Sequence, residues 1–370
     1  MSPSEQKILV AVVGVGLVGS ELISQLLSIP KHISPFKLVA LTSSTRSLYT
    51  GKDTPITDAW KSQLAASKAP ADLKTLTTQL TQLVAEHERV ALVDNTSSEE
   101  VAGLYPTWLK AGINVVTPNK KAFSGDAELF SQILGASAES GARWLNEATV
   151  GAGLPIIAPL KELLATGDKI IKIEGVFSGT MSYIFNNFST GAPSGPSFSS
   201  VVAIAREKGY TEPHPADDLN GYDVARKLTI LSRLISSGPA ATALPALDSF
   251  LSVQTASLIP AALEGIPTGD EFLARLPEFD AEFDNLRVEA SAEGKVLRFV
   301  GVVDVENGHV RAGLEKYSTD HPFATALGGS DNIVLFHTER YSPRPLIVQG
   351  AGAGAAVTAM GVLGDLLKLA

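Results

Sequence analysis

Within GYTEPHPADDLNGYDVARK, residues 209–227, four carboxylates (Glu212, Asp217, Asp218 and Asp223) are followed by two cations, Arg226 and Lys227. Only 19% of the whole chain is charged. Such local density fits either a solvated loop or a site that moves protons. Val224, Leu228, Leu231 and Ile235 mark the apolar centre of a helix that begins near Asn220. With Val224 at zero and about 100° per residue, Lys227 falls at about −60°, between Leu231 at about −20° and Leu234 at about −80°. Asp223 lies at about −100°, one turn earlier, while Arg226 and Arg233 fall at about 200° and 180° on the opposite face. An inward ammonium loses hydration, which lowers its pKa unless an anion compensates. Two readings stay open: an inward Asp223–Lys227 pair suited to proton transfer, or a lysine snorkelling from a packed helix with Asp223 as an ordinary helix-start acid. Arg226 is expected in solvent.

A second group of residues suits phosphate binding. GVGLVGS places Gly14, Gly16 and Gly19 between the apolar run KILVAVVG and the helical pattern VGSELISQLLS. Gly14 suits a tight turn, Gly16 a close backbone approach to a pyrophosphate, and Gly19 close packing. The helix start, with Leu17 and Val18 in its first turn, offers N–H donors to the phosphates. A plain glycine turn is the alternative, and the strand–turn–helix context favours a dinucleotide. The next strand, FKLVALT, ends on Ser43, Ser44 and Arg46, with no carboxylate to hold a ribose 2′-hydroxyl. That favours NADP, with NAD also possible, and Arg46 is either a partner for the 2′-phosphate or a solvated cation. Asn95 and Thr96 in VDNTSS, and Asn119 and Lys120 in VTPNKK, follow the carboxyl ends of further strands, where open α/β sheets bind ligands. Lys121 is expected in solvent.

The elements that carry these residues alternate. Strand patterns at 7–14, 36–42, 89–95 and 113–119, with helical patterns between, predict an α/β fold whose first part is a Rossmann-type doubly wound parallel sheet. From about residue 151 the pattern is mixed. KIIKIEGVFSGT is strand-like, and Asn307–Gly308 between two apolar runs predicts a hairpin, giving a mixed α+β second domain. PLIVQGAGAGAAVTAMGVLGDLLKLA reads as strand, turn and helix returning to the first domain. The expected division is 1–150 plus 341–370 for dinucleotide binding and 151–340 for the substrate.

Composition narrows the function. At 370 residues the chain is too long for one typical core. A net charge of −9 argues against nucleic acid or an anionic membrane as partner. No apolar run is long enough to span a bilayer, and the N-terminus lacks a signal-peptide layout, so a cytoplasmic protein is expected. The absence of cysteine removes thiolate chemistry, including aldehyde chemistry that passes through a thioester.

These motifs, with TPNKKAF, EATVGAGLPII, IEGVFSGTMSYIFN and VQGAGAGAAVTAMGVLGD, resemble homoserine dehydrogenases of the short fungal form over essentially the whole chain. The resemblance implies NAD(P)-dependent interconversion of L-aspartate 4-semialdehyde and L-homoserine, a small-molecule reaction on the way to threonine and methionine. It makes Lys227 the acid/base lysine and Lys120 a second lysine at the substrate and coenzyme. Asp223 orients Lys227, while Glu212, Asp218, Thr180 and Tyr210 hold the substrate. Thr96 and Gly354 contact the cofactor. Main-chain oxygens of Glu147, Val150, Ala152 and Leu154 surround a monovalent cation, usually sodium. A homodimer built on the second domain is implied. The chain ends after LLKLA, so neither the regulatory domain nor the fused kinase of other members is expected. His214 stands where the family has Asp, Asn or Ser, and is expected to be a tolerated surface change. A catalytically silent NADP-binding sensor is the alternative from another class.

Overall fold

Six successive apolar residues, Ile8–Val13, are all buried and form β1, as a strand covered on both faces requires. The computed structural model describes residues 6–54, 56–238 and 243–370. It forms two units, one running to Pro155 and resuming over Ala353–Ala370, the other Ile156–Gly352.

In the first unit β1 lies between β2 (Phe36–Thr42) and β4 (Val90–Asp94), with β5 (Asn114–Val116) and β6 (Trp144–Leu145) beyond β4, all parallel. A short β3 (Ser47–Tyr49) pairs antiparallel on the outer edge of β2. The order β3-β2-β1-β4-β5-β6 reverses direction at β1, so the β1 and β4 strand ends flank the switch point where α/β sheets bind ligands. The expected doubly wound parallel sheet is present. The helices Leu17–Ser28 and Ala355–Leu367 share one core, with Leu22, Ile23 and Leu26 packed among Ala359, Val362 and Leu366. The C-terminal helix therefore belongs to the first unit, as its Gly/Ala-rich approach suggested.

The second unit is a six-stranded sheet in the order β12-β11-β7-β9-β10-β8. Its strands are β7 (Ile170–Val176), β8 (Gln254–Thr255), β9 (Lys295–Asp304), β10 (His309–Ser318), β11 (Asp331–Thr338) and β12 (Leu346–Ala351). The long pairings are antiparallel, and β8 alone runs parallel to its neighbour β10. The Asn307–Gly308 hairpin forms, with Gly308 at φ 68°. The strand PLIVQGA was expected to return with the C-terminal helix. Instead β12 pairs with the open edge of β11, and the second unit extends to Gly352. Backbone pairing decides this, and a side-chain pattern cannot show which edge a strand joins.

The helix Tyr222–Ser236 lies against β9. A Cβ on Gly301 would come within 2.7 Å of Leu228 Cδ2, so this glycine sets how closely the helix approaches. The expected apolar centre, Val224, Leu228, Leu231 and Ile235, is buried. The opposite face is not the solvated one expected. Arg233 is buried and donates to the carbonyls of Leu247 and Asp248, while the Arg226 guanidinium lies over the Phe250 ring at 3.6 Å. The segment around Phe250 covers that side, so the wheel placed these arginines correctly but could not show what packs on them.

Two further charges are buried in this sheet. Arg298 donates to the carbonyls of Phe323, Phe185, Ser189 and Leu297, and burial pushes its guanidinium down to about 10. Burial works to raise the Glu174 carboxyl, but His337 at 2.9 Å and Lys172 at 3.0 Å outweigh it and hold it at about 2. A carboxyl lowered from 4.5 to about 2 contributes stability above pH 4.5 that is lost as pH falls through 2. Glu174→Gln should lower the unfolding free energy by roughly 1–3 kcal/mol at neutral pH. In urea titrations across pH, its gap to wild type should close between pH 4.5 and 2.

Candidate active site

The glycine turn after β1 has little steric choice. Gly14 takes φ 85°, and a Cβ there would meet Thr96 Cγ2 at 2.8 Å. A Cβ on Gly19 would lie 1.9 Å from the Gly14 carbonyl oxygen, so Gly19 closes the turn on itself. Gly16 is different: nothing stands within 4 Å of where its side chain would point. Gly16 is also the N-cap of the Leu17–Ser28 helix, without a side-chain cap, which leaves the first-turn N–H groups of Leu17, Val18 and Gly19 available to an anion. Leu17 is exposed and Val18 half-buried.

This turn forms one wall of a cleft of about 1380 Å³ lined also by Ser43, Ser44, Asn95, Thr96 and Lys74. Both polar atoms of the Asn95 side chain are buried without a partner among the described residues. The open space at Gly16, the uncapped helix start and this orphaned amide fit a dinucleotide. Ser43 folds into a turn, its hydroxyl accepting from Arg46 N at 2.9 Å. Arg46 points elsewhere: its guanidinium donates to the Ala65 carbonyl and faces a separate shallow depression. The basic side chain lining the cleft beside Ser43 and Ser44 is that of Lys74. Nothing local in the sequence marks it, because it arrives on a helix that begins thirty residues after the strand.

The loops after β4 and β5 are tied together beneath the cleft by Asp94. Its carboxylate accepts from Thr96 N (2.7 Å), Tyr105 OH (2.6 Å) and Asn119 Nδ2 (3.0 Å). Burial pushes the Asp94 carboxyl up, and these donors pull it back. Asn119 also donates to Ser98 O and accepts from Lys121 N, so it is a clamp rather than a ligand group. Lys120, held between Asn119 and the short helix Lys121–Ser124, is half-buried. Lys121 lies 3.9 Å from Glu99 at the surface.

Glu147, Val150, Ala152 and Leu154 share one tight loop. Gly151 and Ala152 both take positive φ, 76° and 56°, and Leu154 N donates to Gly151 O. Two successive left-handed residues curl the chain, and Ala152 is strained there. Asp365 of the C-terminal helix fixes the loop by accepting from Glu147 N at 2.7 Å, and Lys368 bridges Asp365 and Glu147. Neither residue was singled out from the sequence. Gly354 caps that helix with φ 122°. Among the described residues no cluster of three or more His, Cys, Asp or Glu is arranged for a metal.

In the second unit the carboxylate-rich stretch folds around Asp218. Asp218 accepts from Glu212 N at 2.8 Å, and the single Thr180 hydroxyl hydrogen is shared between Asp218 Oδ1 at 2.9 Å and the Tyr210 carbonyl at 2.6 Å. The Tyr210 ring packs against that of Tyr183 at 4.7 Å, tilted by 39°. The Glu212 side chain is exposed. Lys227 points inward as the wheel suggested, with its side chain 8% exposed. Its ammonium donates to Asp223 Oδ2 at 2.7 Å and to the Phe177 carbonyl at 2.6 Å. Snorkelling is thus set aside. His214 is not a surface substitution: it is half-buried, faces the Phe272 ring, contacts Ile266 O through Nε2 and accepts from Ala216 N at Nδ1. Its ring bridges two segments and braces the turn, a role that depends on a partner fifty-two positions away.

Family models for the homoserine dehydrogenase NAD-binding domain and for homoserine dehydrogenase match residues 14–147 and 155–367. The chain belongs to the homoserine dehydrogenase family. It is 50% identical to the homoserine dehydrogenase of Schizosaccharomyces pombe, covering 100% of this chain and 97% of that one. It is 47% identical to that of Saccharomyces cerevisiae, covering 98% and 97%. A crystal structure of a Candida auris protein of unknown function superposes with a TM-score of 0.90 at 45% identity, over 99% and 98% of the two chains. The first unit of this family member is its NAD(P)-binding domain.

Burial raises the Asp218 carboxyl to about 6, against the pull of Glu212 N and Thr180. Below that pH it takes a proton and loses its negative charge. Substrate kcat/KM should therefore fall as pH drops through about 6. That limb should be missing from the pH profile of Asp218→Asn.

Proposed function

We propose that this enzyme reduces L-aspartate 4-semialdehyde reversibly to L-homoserine, toward threonine and methionine, with Lys227 as the proton donor. The observation that carries the proton assignment is the buried ammonium of Lys227, held at once by Asp223 and by the Phe177 carbonyl. When bound, the nicotinamide supplies or accepts the hydride. As the aldehyde carbon is reduced, negative charge grows on its oxygen, and Lys227 delivers a proton there. Asp223 keeps the lysine aligned and balances its charge. Glu212 accepts hydrogen bonds from the substrate ammonium. Asp218 braces Thr180 and the Glu212 backbone, and Tyr210 closes the same side. Lys120 steadies the developing oxyanion or the substrate carboxylate.

For the coenzyme, the missing carboxylate at Ser43 and Ser44 supports NADPH, with NADH also accepted. Lys74 is the proposed partner of the 2′-phosphate, because Arg46 is occupied with the Ala65 carbonyl. The carbonyls of Glu147, Val150, Ala152 and Leu154 would hold a sodium ion, whose charge would stiffen the loop. A cytoplasmic homodimer joined through the second unit completes the reading. Among the described residues no helix is long and apolar enough to cross a membrane.

One assay tests the function: oxidation of NADPH, then of NADH, followed spectrophotometrically with aspartate semialdehyde. Turnover is expected with both, and a silent sensor would bind coenzyme without turning over. General acid help is worth about 10²–10⁴-fold, so Lys227→Ala should lose about that factor in kcat at unchanged coenzyme Kd. Near-wild-type turnover would refute the role. Lys74→Ala should raise the KM for NADPH about tenfold, close to the worth of one charged contact, and leave that for NADH unchanged.

A further inference from the structure

The carbonyl that holds Lys227 has a second donor. Asn332, in β11 and 1% exposed, donates its Nδ2 to Phe177 O at 3.0 Å, while Lys227 donates to the same oxygen at 2.6 Å. The amide can stand only this way round, since its Oδ1 against the carbonyl would oppose two acceptors. Oδ1 is consequently buried with no hydrogen-bond partner among the described residues. An orphaned buried acceptor costs roughly 1–3 kcal/mol, which a leucine of similar size would avoid. The amide is also closely packed: a Cβ on Gly352 would come within 2.1 Å of Asn332 Cγ and Nδ2. A side chain that is unfavourable for stability, closely packed and bonded to the anchor of the proton donor points to a role in the reaction.

We propose that Asn332 is a positioning residue for Lys227, acting through the shared carbonyl of Phe177. A carbonyl oxygen has two lone pairs. With Asn332 on one, the other faces a single place, and the ammonium is confined to it at the distance Asp223 also requires. Without Asn332 the carbonyl can tilt, and the lysine follows it away from the reacting oxygen. The inference rests on the assignment of Lys227 as proton donor.

The test uses Asn332→Leu alone and in a Lys227→Ala background, with steady-state reduction of aspartate semialdehyde, coenzyme Kd and thermal unfolding. The leucine removes the donor and the orphaned acceptor together, and leaves Phe177 O bonded to Lys227. Expected are a kcat about 10- to 100-fold lower, in the range a misplacement of about 1 Å produces. KM and Kd should stay within about twofold, and the Tm at or above wild type. In the Lys227→Ala background the leucine should cost nothing further, as groups acting as one unit are non-additive. An unchanged kcat, or the same fold-loss in both backgrounds, overturns the inference. Asn332→Met, close in volume and without a donor, should reproduce the kcat loss should the leucine variant not fold, and a wild-type kcat there is equally fatal. Full activity in Lys227→Ala alone would sink the proton-donor assignment. A crippled Lys227→Ala beside a fully active Asn332→Leu would sink only the role of Asn332.

Discussion

A lysine ammonium withdrawn from water must be given acceptors, and Lys227 is given a carboxylate one helical turn away and a main-chain oxygen from across the unit. Much of the second unit serves that arrangement. Gly221, at φ 75°, starts the helix where a side chain would strike Phe299 of β9, and Gly301 of the same strand lets Leu228 approach. The strand thus sets the height of the helix, and the helix sets the height of the lysine. Phe177, at the end of β7, supplies the opposing carbonyl. The position of one proton-bearing nitrogen therefore depends on two glycines, two strands and a helix register.

The first unit solves a related problem with opposite sign. Asp94 is a buried carboxylate held by donors from two loops and a helix. Those bonds fix the strand-end loops that carry Asn95, Thr96 and Lys120. Above them the turn at Gly14 and Gly19 is packed to backbone contact, while Gly16 faces open space. A rigid floor beneath an accessible rim is what recognition of a pyrophosphate by backbone N–H groups requires.

The legible parts of this site were those governed by local periodicity. The glycine spacing, the parallel strand ends and the inward turn of Lys227 beside Asp223 all follow from positions within one or two turns of each other. What stayed hidden depends on partners distant in the chain. Arg226 and Arg233 sit on the face the wheel assigned, yet Phe250 and the Leu247–Asp248 carbonyls cover them. His214 reaches Ile266, Arg46 is diverted to Ala65, and Lys74 takes the place beside Ser43 and Ser44. β12 was read by its apolar pattern as part of the returning segment, but the vacant edge of β11 claims it. Phe177 escaped notice for another reason: it acts through its carbonyl, and residue type says nothing about which main-chain oxygen is free to accept.

The most direct measurement of the central claim is a crystal structure of the enzyme with oxidised coenzyme and homoserine bound together. The Lys227 nitrogen should lie at about 3 Å from the homoserine hydroxyl oxygen while keeping its bonds to Asp223 and the Phe177 carbonyl. A nitrogen directed into bulk solvent, or a hydroxyl bonded only to another donor such as Lys120, would contradict the account.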